Sequence, residues 1–390
     1  MFNISKSIKY KINNNYYLRI ILKDKLFSSF KKFILFTPLI FYFGERSLIA
    51  YDEGIYALQA KWILENNNWI TPMKWGGIVN DRTIGIQFLI AFSQKIFGEK
   101  LFAIYIPIIL FGLLMVWLTY EIHKEIIKNE FPIFSSLILC TTFLWINYFH
   151  MATQDIVFAS LVTLGIYASI KSYKTKGLLY FFTTGIWIGL AFMLKTYLVF
   201  IPLLAIFPFF WSTKILRNIF FWTGLIIGFL PFIIWGSLII QINGWETFSG
   251  LYTKLISLSG DNEFTNPFYY YFWNFTLNAL PWSFFSLIGF LNLPKNNNYL
   301  STYFLIRFPL IVIILLSFFS TKTPYYPLQI ISLVSINAYL GINYILIKKN
   351  KVTKFLKTFL FNICPIFLLL ILAYINFNKS LIKIDDYQIN

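Results

Sequence analysis

Residues 102–121 read FAIYIPIILFGLLMVWLTYE, nineteen residues without a charge before Glu121. Wound as a helix at about 1.5 Å per residue, a run of this length crosses the roughly 30 Å hydrocarbon core of a bilayer. It does not alternate apolar with polar residues, so it reads as a helix and not as a barrel strand. Similar runs recur outward from it, near 33–50, 132–149, 155–170, 177–194, 196–212, 218–240, 276–293, 303–320, 324–347 and 355–376. Together they predict an all-α, polytopic membrane protein of about eleven transmembrane helices. Composition agrees: 58% of residues are hydrophobic and 13% charged, where a soluble chain carries about 25% charged residues. Such a chain needs lipid as its solvent, and lipid admits only helices or closed barrels.

The formal charge is +17, which by itself would suit nucleic acid. Its distribution argues for a membrane instead. With the N-terminus in the cytoplasm, 22 of the 33 Lys and Arg residues fall in cytoplasmic segments, and 12 of the 16 acids fall outside. One topology therefore satisfies the positive-inside bias in every short loop. It places a basic cytoplasmic segment at 1–32, the membrane domain at 33–376 and a short tail at 377–390. No cleavable signal pattern precedes the first apolar run. Cys140 and Cys364 lie inside apolar runs and read as packing residues.

Two outside segments exceed simple turns. In 51–100, Asp52 to Leu64 reads as an amphipathic helix stopped by Asn66-Asn67-Asn68, and Thr83 to Phe97 as a second helix; both suit the interface. The other, 241–275, is rich in Trp, Tyr and Phe, as interfacial segments are. The polar residues of interest all fall on this face. Asp52-Glu53 follows the first span, and adjacent carboxylates there read either as a base or metal ligand or as a solvated helix start. Asp81-Arg82 offers a guanidinium fork for phosphate, or a surface ion pair. Asp155 enters an apolar helix, as a site residue or as a cap. His150 is nearby, with metal ligation the weaker of its readings. Lys195 and Lys322 are outside cations against the charge bias, and fit either snorkelling or an anionic phosphate at the membrane edge.

The ordered set Tyr51-Asp52-Glu53-Gly54-Ile55-Tyr56-Ala57, Asn68-Trp69-Ile70-Thr71-Pro72, Gly76-Gly77 and Asn80-Asp81-Arg82-Thr83 resembles the first outside loop of the GT-C glycosyltransferases. The nearest groups are the aminoarabinose lipid A transferases and the protein O-mannosyltransferases. Further pieces follow in family order: Thr153-Gln154-Asp155, Gly189-Leu190-Ala191 through Lys195 to Pro202, Pro281-Trp282, and Ser320-Thr321-Lys322-Thr323-Pro324-Tyr325-Tyr326-Pro327. The resemblance covers roughly residues 35–345. It departs where Glu-Lys-Pro becomes Asp81-Arg82-Thr83, where Lys195-Thr196 lacks the usual Gly, and where an Arg expected near Pro107 is missing.

That resemblance implies an inverting transferase in the inner membrane that takes sugar from a polyprenyl-phosphate donor on the outer face. The acceptor is a lipid, protein or glycan. Asp52 and Asp155 are implied as catalytic; Arg82, Lys195, Lys322 and Tyr325 as ligands of the donor phosphate; Glu53, Asp81 and Tyr56 as orienting an acceptor or a metal. A divalent metal at Asp52 and Asp81 is compatible with that set. Membrane lipids are partners and nucleic acid is not. Rival readings are a transporter or flippase of lipid-linked sugars, which should show charges near the midplane, a polysaccharide polymerase, and a degenerate family member.

Overall fold

The computed structural model describes residues 43–348 except Glu45, Ala50, Tyr51, Asn80, 128–130, 260–263 and 294–298, and beyond them Phe355 and Thr358. The expected spans at 33–50 and 355–376, the basic segment, the tail and Cys364 thus lie wholly or mostly outside the described residues. The described part of 43–50 is not helical.

The two helices expected in the first outside segment form, as α1 (Asp52–Asn66) and α2 (Gly85–Phe97). Asn67 ends α1 in the left-handed region, with φ 49°, a conformation that Asn tolerates better than most residues. Between them runs a tight hairpin, Met73–Lys74 (β1) against Gly77–Ile78 (β2), which alternation was too short to signal. The bundle follows: α3 (Leu101–Ile127), α4 (Ile133–Cys140), α5 (Phe143–Phe149), α6 (Gln154–Thr175), α7 (Leu178–Lys195), α8 (Phe200–Ser212) and α9 (Ile219–Asn243). Then come α10 (Trp245–Ser259), α11 (Tyr270–Asn278), α12 (Ser283–Asn292), α13 (Tyr299–Phe318, with a π turn at Tyr303–Arg307) and α14 (Ile331–Ile347).

Six stretches among the described residues are long and apolar enough to cross a membrane: Leu101–Ile127, Gln154–Thr175, Leu178–Ser212, Ile219–Asn243, Tyr299–Phe318 and Tyr326–Ile347. The third is two crossings, not one rod. Thr196 has φ 34° and breaks the helix after Lys195. Lys195 meets Asp155 at the first turn of α6, whereas Phe209 packs on Tyr173 in its last turn. The chain has therefore reversed, and α8 returns along α6.

Two expected spans differ. Residues 132–149 divide into α4 and α5 at Thr141-Thr142. The Thr141 hydroxyl bonds to the Leu137 carbonyl and accepts from Trp282 Nε1 at 2.9 Å, and Thr142 is extended. Such side-chain bonds compete with the helical ladder. Residues 276–293 are likewise interrupted at Leu280-Pro281, where proline removes a donor, which leaves the ten-residue α12.

Without a hydrophobic drive between helices in lipid, close packing must hold them. Glycine supplies it where α7 meets α9: a Cβ on Gly185 would stand 2.0 Å from the Phe221 carbonyl, and one on Gly228 2.3 Å from that of Ile186.

Candidate functional site

The site is built at the bundle end where α6 begins and α7 ends. Asp52 opens α1, and its side chain lies outside the described residues. Tyr56 stands one turn further along, on the same helical face as position 52. The Arg82 guanidinium lies 5.6 Å from the Tyr56 ring centroid.

Arg82 grips its neighbour Asp81 with both fork nitrogens, at 2.9 Å each. Lys254 of α10 stands 3.9 Å from the same carboxylate. Burial works against ionised Asp81, but the hydrogen bond and charge of Arg82, with Lys254 behind them, outweigh it and hold the carboxyl below its usual range. The segment is anchored beside α7: the Thr83 hydroxyl donates to the Met193 carbonyl at 2.6 Å. Gly85 lies so close that a Cβ would stand 2.4 Å from that oxygen. Arg82 is thereby fixed next to the end of α7, where Lys195 sits.

The Lys195 ammonium is bonded to one oxygen of Asp155, and Thr153 donates to the other at 2.7 Å. Both charged side chains are 7% exposed. Around them stand the rings of Tyr325, 4.6 Å from the ammonium, Tyr326 at 5.5 Å and Phe158 at 5.8 Å. A desolvated cation gains most from such faces. Burial pushes the Tyr325 phenol up, with the Asp155 charge next and Tyr56 a smaller contributor. Tyr325 therefore stays neutral beside the Lys195–Asp155 pair.

Two expected site residues have other engagements. Glu53 is fully buried, and donors surround it. They are Arg46 at 2.7 and 2.9 Å, the N–H of Ile49 at 2.8 Å, the N–H of Ala152 at 2.6 Å and the Tyr105 hydroxyl at 3.3 Å. No lone pair is left for an acceptor or a metal. Lys322 gives its ammonium to the Asn266 carbonyl at 2.7 Å and to that of Phe319, and burial lowers its pKa. It pins Asn266 to the end of α13 instead of reaching the cluster. His150 stacks on Phe43 at 4.7 Å and bonds through Nδ1 to the Ile146 carbonyl. Among the described residues no three His, Cys, Asp or Glu side chains stand together, and Arg82 holds both Asp81 oxygens. The expected metal pair involves Asp52, whose side chain lies outside the described residues, and no step is routed through a metal.

Sequence reasoning missed Lys254, Tyr326 and Arg46. Lys254 carried the same signal as Lys195, an outside cation against the charge bias. Arg46 was hidden inside an expected span.

An apolar cavity of about 500 Å³ opens beside the cluster. Ile84 and Gly85, which follow Arg82 closely in the chain, line it with Met193 and Leu194, which precede Lys195; Leu190 and Trp235 line it as well.

A family profile described as dolichyl-phosphate-mannose-protein mannosyltransferase matches residues 81–235. The undecaprenyl phosphate-alpha-4-amino-4-deoxy-L-arabinose arabinosyl transferase of Wigglesworthia glossinidia brevipalpis is 28% identical over 268 residues, 64% of this chain and 46% of that protein. The crystal structure of ArnT from Cupriavidus metallidurans bound to undecaprenyl phosphate superposes with a TM-score of 0.69 at 14% identity, covering 80% of this chain and 59% of that one. The archaeal oligosaccharyltransferase AglB from Archaeoglobus fulgidus gives 0.51 at 11% identity, with 81% and 49% covered. The chain spans about half the length of the curated relative it matches.

Proposed function

We propose, from the premise that this chain resembles the GT-C glycosyltransferases in the aminoarabinose-transferase manner, that it transfers a sugar from a polyprenyl-phosphate donor. The observation that carries this reading is the junction of cavity and cluster. Arg82 and Lys195 lie within two residues of cavity-lining Ile84 and Leu194. A long apolar tail entering the cavity would bring its head group toward the cations, phenol and carboxylates of the cluster. That is the shape of a prenyl phosphate ester.

In the proposed reaction an acceptor hydroxyl attacks the anomeric carbon. A new C–O bond forms as the bond from sugar to phosphate breaks, and the proton passes to Asp52, the base implied by resemblance. Prenyl phosphate leaves with the bonding pair. Its growing charge is met by Arg82, with Lys195, Lys254 and Tyr325 around it, the electrostatic task of an anion hole. Asp155 holds Lys195 in place, and Asp81 holds Arg82. One displacement inverts the sugar carbon.

The outward orientation is part of the proposal. Lys124, Lys171, Lys174, Lys176, Lys214 and Arg217 gather at the bundle end opposite the cluster, where Glu125 pairs with Lys171 and Lys174. The positive-inside bias assigns that end to the cytoplasm and the cluster to the outer face of the inner membrane, within about eleven spans in all.

The test is transfer of labelled sugar from an undecaprenyl-phosphate donor and from a short-chain analogue. Wild type should use both. Leu190→Trp, which narrows the cavity, should raise KM for the long donor by about tenfold, equivalent to roughly 1.4 kcal/mol, and leave the short one near wild type. No transfer from either donor would overturn the reading.

A further inference from the structure

Glu53 stands behind the site. We infer that it is a positioning residue: together with Arg46 it holds the turn His150–Thr153 from which Asp155 enters α6. This rests on the transferase reading for its catalytic consequence, though not for its structural part.

Three contacts in sequence order tie the segment Phe43–Glu53 to that turn. Phe43 stacks on the His150 ring at 4.7 Å, with the planes 11° apart. Arg46 Nη2 donates to the His150 carbonyl at 2.6 Å. Glu53 Oε1 accepts from the Ala152 N–H, also at 2.6 Å. The next residue, Thr153, is the one whose hydroxyl holds Asp155 at 2.7 Å. Cation on carbonyl and carboxylate on N–H, joined by their own fork, form a bridge that fixes both ends of residues 150–152. Gly44 lets the strap lie down: it has φ +80°, and a Cβ there would stand 2.8 Å from the Phe102 nitrogen.

The carboxylate is required by count. Donors from Arg46, Ile49, Ala152 and Tyr105 converge on its two oxygens. A glutamine offers one oxygen and one NH₂, so a donor would face a donor and the bridge must open. Asp155 and Lys195 would then shift without either being altered. A displacement of about 1 Å at a reacting centre can cost on the order of 10²-fold in rate.

The experiment compares wild type, Glu53→Gln and Arg46→Met as full chains in lipid nanodiscs, by hydrogen–deuterium exchange of residues 149–156 and by transfer kinetics. Both variants should exchange faster in 149–156, with α7 and α9 unchanged. Both should lose about 10- to 100-fold in kcat, with donor KM within about twofold. Adding Glu53→Gln to Asp155→Asn should lower turnover no further than Asp155→Asn alone, because both act through one carboxylate. Unchanged exchange at 149–156 would overturn the inference. So would losses that multiply in the double variant, or Arg46→Met turning over normally while Glu53→Gln is dead; that last pattern would put Glu53 on the substrate. If wild type transfers from no polyprenyl-phosphate donor, the functional reading fails and the exchange data alone decide the bridge. If Arg46→Met does not fold, Glu53→Gln carries the comparison.

Discussion

Lys195→Met should be among the most damaging substitutions in the bundle, lowering stability by about 3–5 kcal/mol and abolishing transfer. Its partner Asp155 is 7% exposed, and the ammonium it pairs with is ringed by Tyr325, Tyr326 and Phe158. Without the ammonium, a carboxylate remains where water cannot solvate it, and only the Thr153 hydroxyl still serves it. Part of the damage should be reversible. Lys195→Met combined with Asp155→Asn removes both charges, and such paired replacement is often close to neutral. The double variant should recover folded yield and melting temperature, read by size exclusion after heating, and should still fail to transfer sugar. Recovery of transfer along with folding would show the pair to be structural only.

Asp52→Asn should reduce turnover by about 10²–10⁴-fold, the usual contribution of a general base, while binding of undecaprenyl phosphate stays near wild type. The helix start at Asp52 sets position 52 one turn before Tyr56, and Tyr56 faces Arg82. A base on that face would meet an acceptor arriving over the donor head. Asn is nearly isosteric and cannot take the proton. Turnover within about twofold of wild type would remove Asp52 from the chemistry.

Much of the fold was legible because lipid makes hydropathy decisive: the helices at 101–127, 154–175 and 219–243 follow directly from their apolar runs. The interruptions at Thr141-Thr142 and Pro281 were harder to read, because both lie inside runs apolar enough to pass as spans. Local bonding settles them, with Trp282 reaching Thr141 across more than a hundred residues. In the site, residue type showed which groups are polar but not what faces them. Lys195 and Lys322 look alike in sequence, both cations on an outside hairpin. One meets Asp155 among aromatic rings, and the other meets the carbonyls of Asn266 and Phe319. Asp52 and Glu53 are adjacent acids, yet the donors around Glu53 come from Arg46, Tyr105 and Ala152, a convergence visible only once α3 and the turn before α6 are packed together. Lys254 lay in a segment whose aromatic content masked its charge.

The most direct measurement is retention of undecaprenyl phosphate by the purified chain, followed by native mass spectrometry beside undecaprenol, which lacks the phosphate. Wild type should retain the phosphate ester and release the alcohol. Arg82→Ala should weaken retention by about 10- to 100-fold, as expected for losing a charge-assisted contact of roughly 1.5–3 kcal/mol. Equal retention of ester and alcohol, or an Arg82→Ala chain that binds like wild type, would contradict a cationic grip on a prenyl phosphate at this end of the bundle.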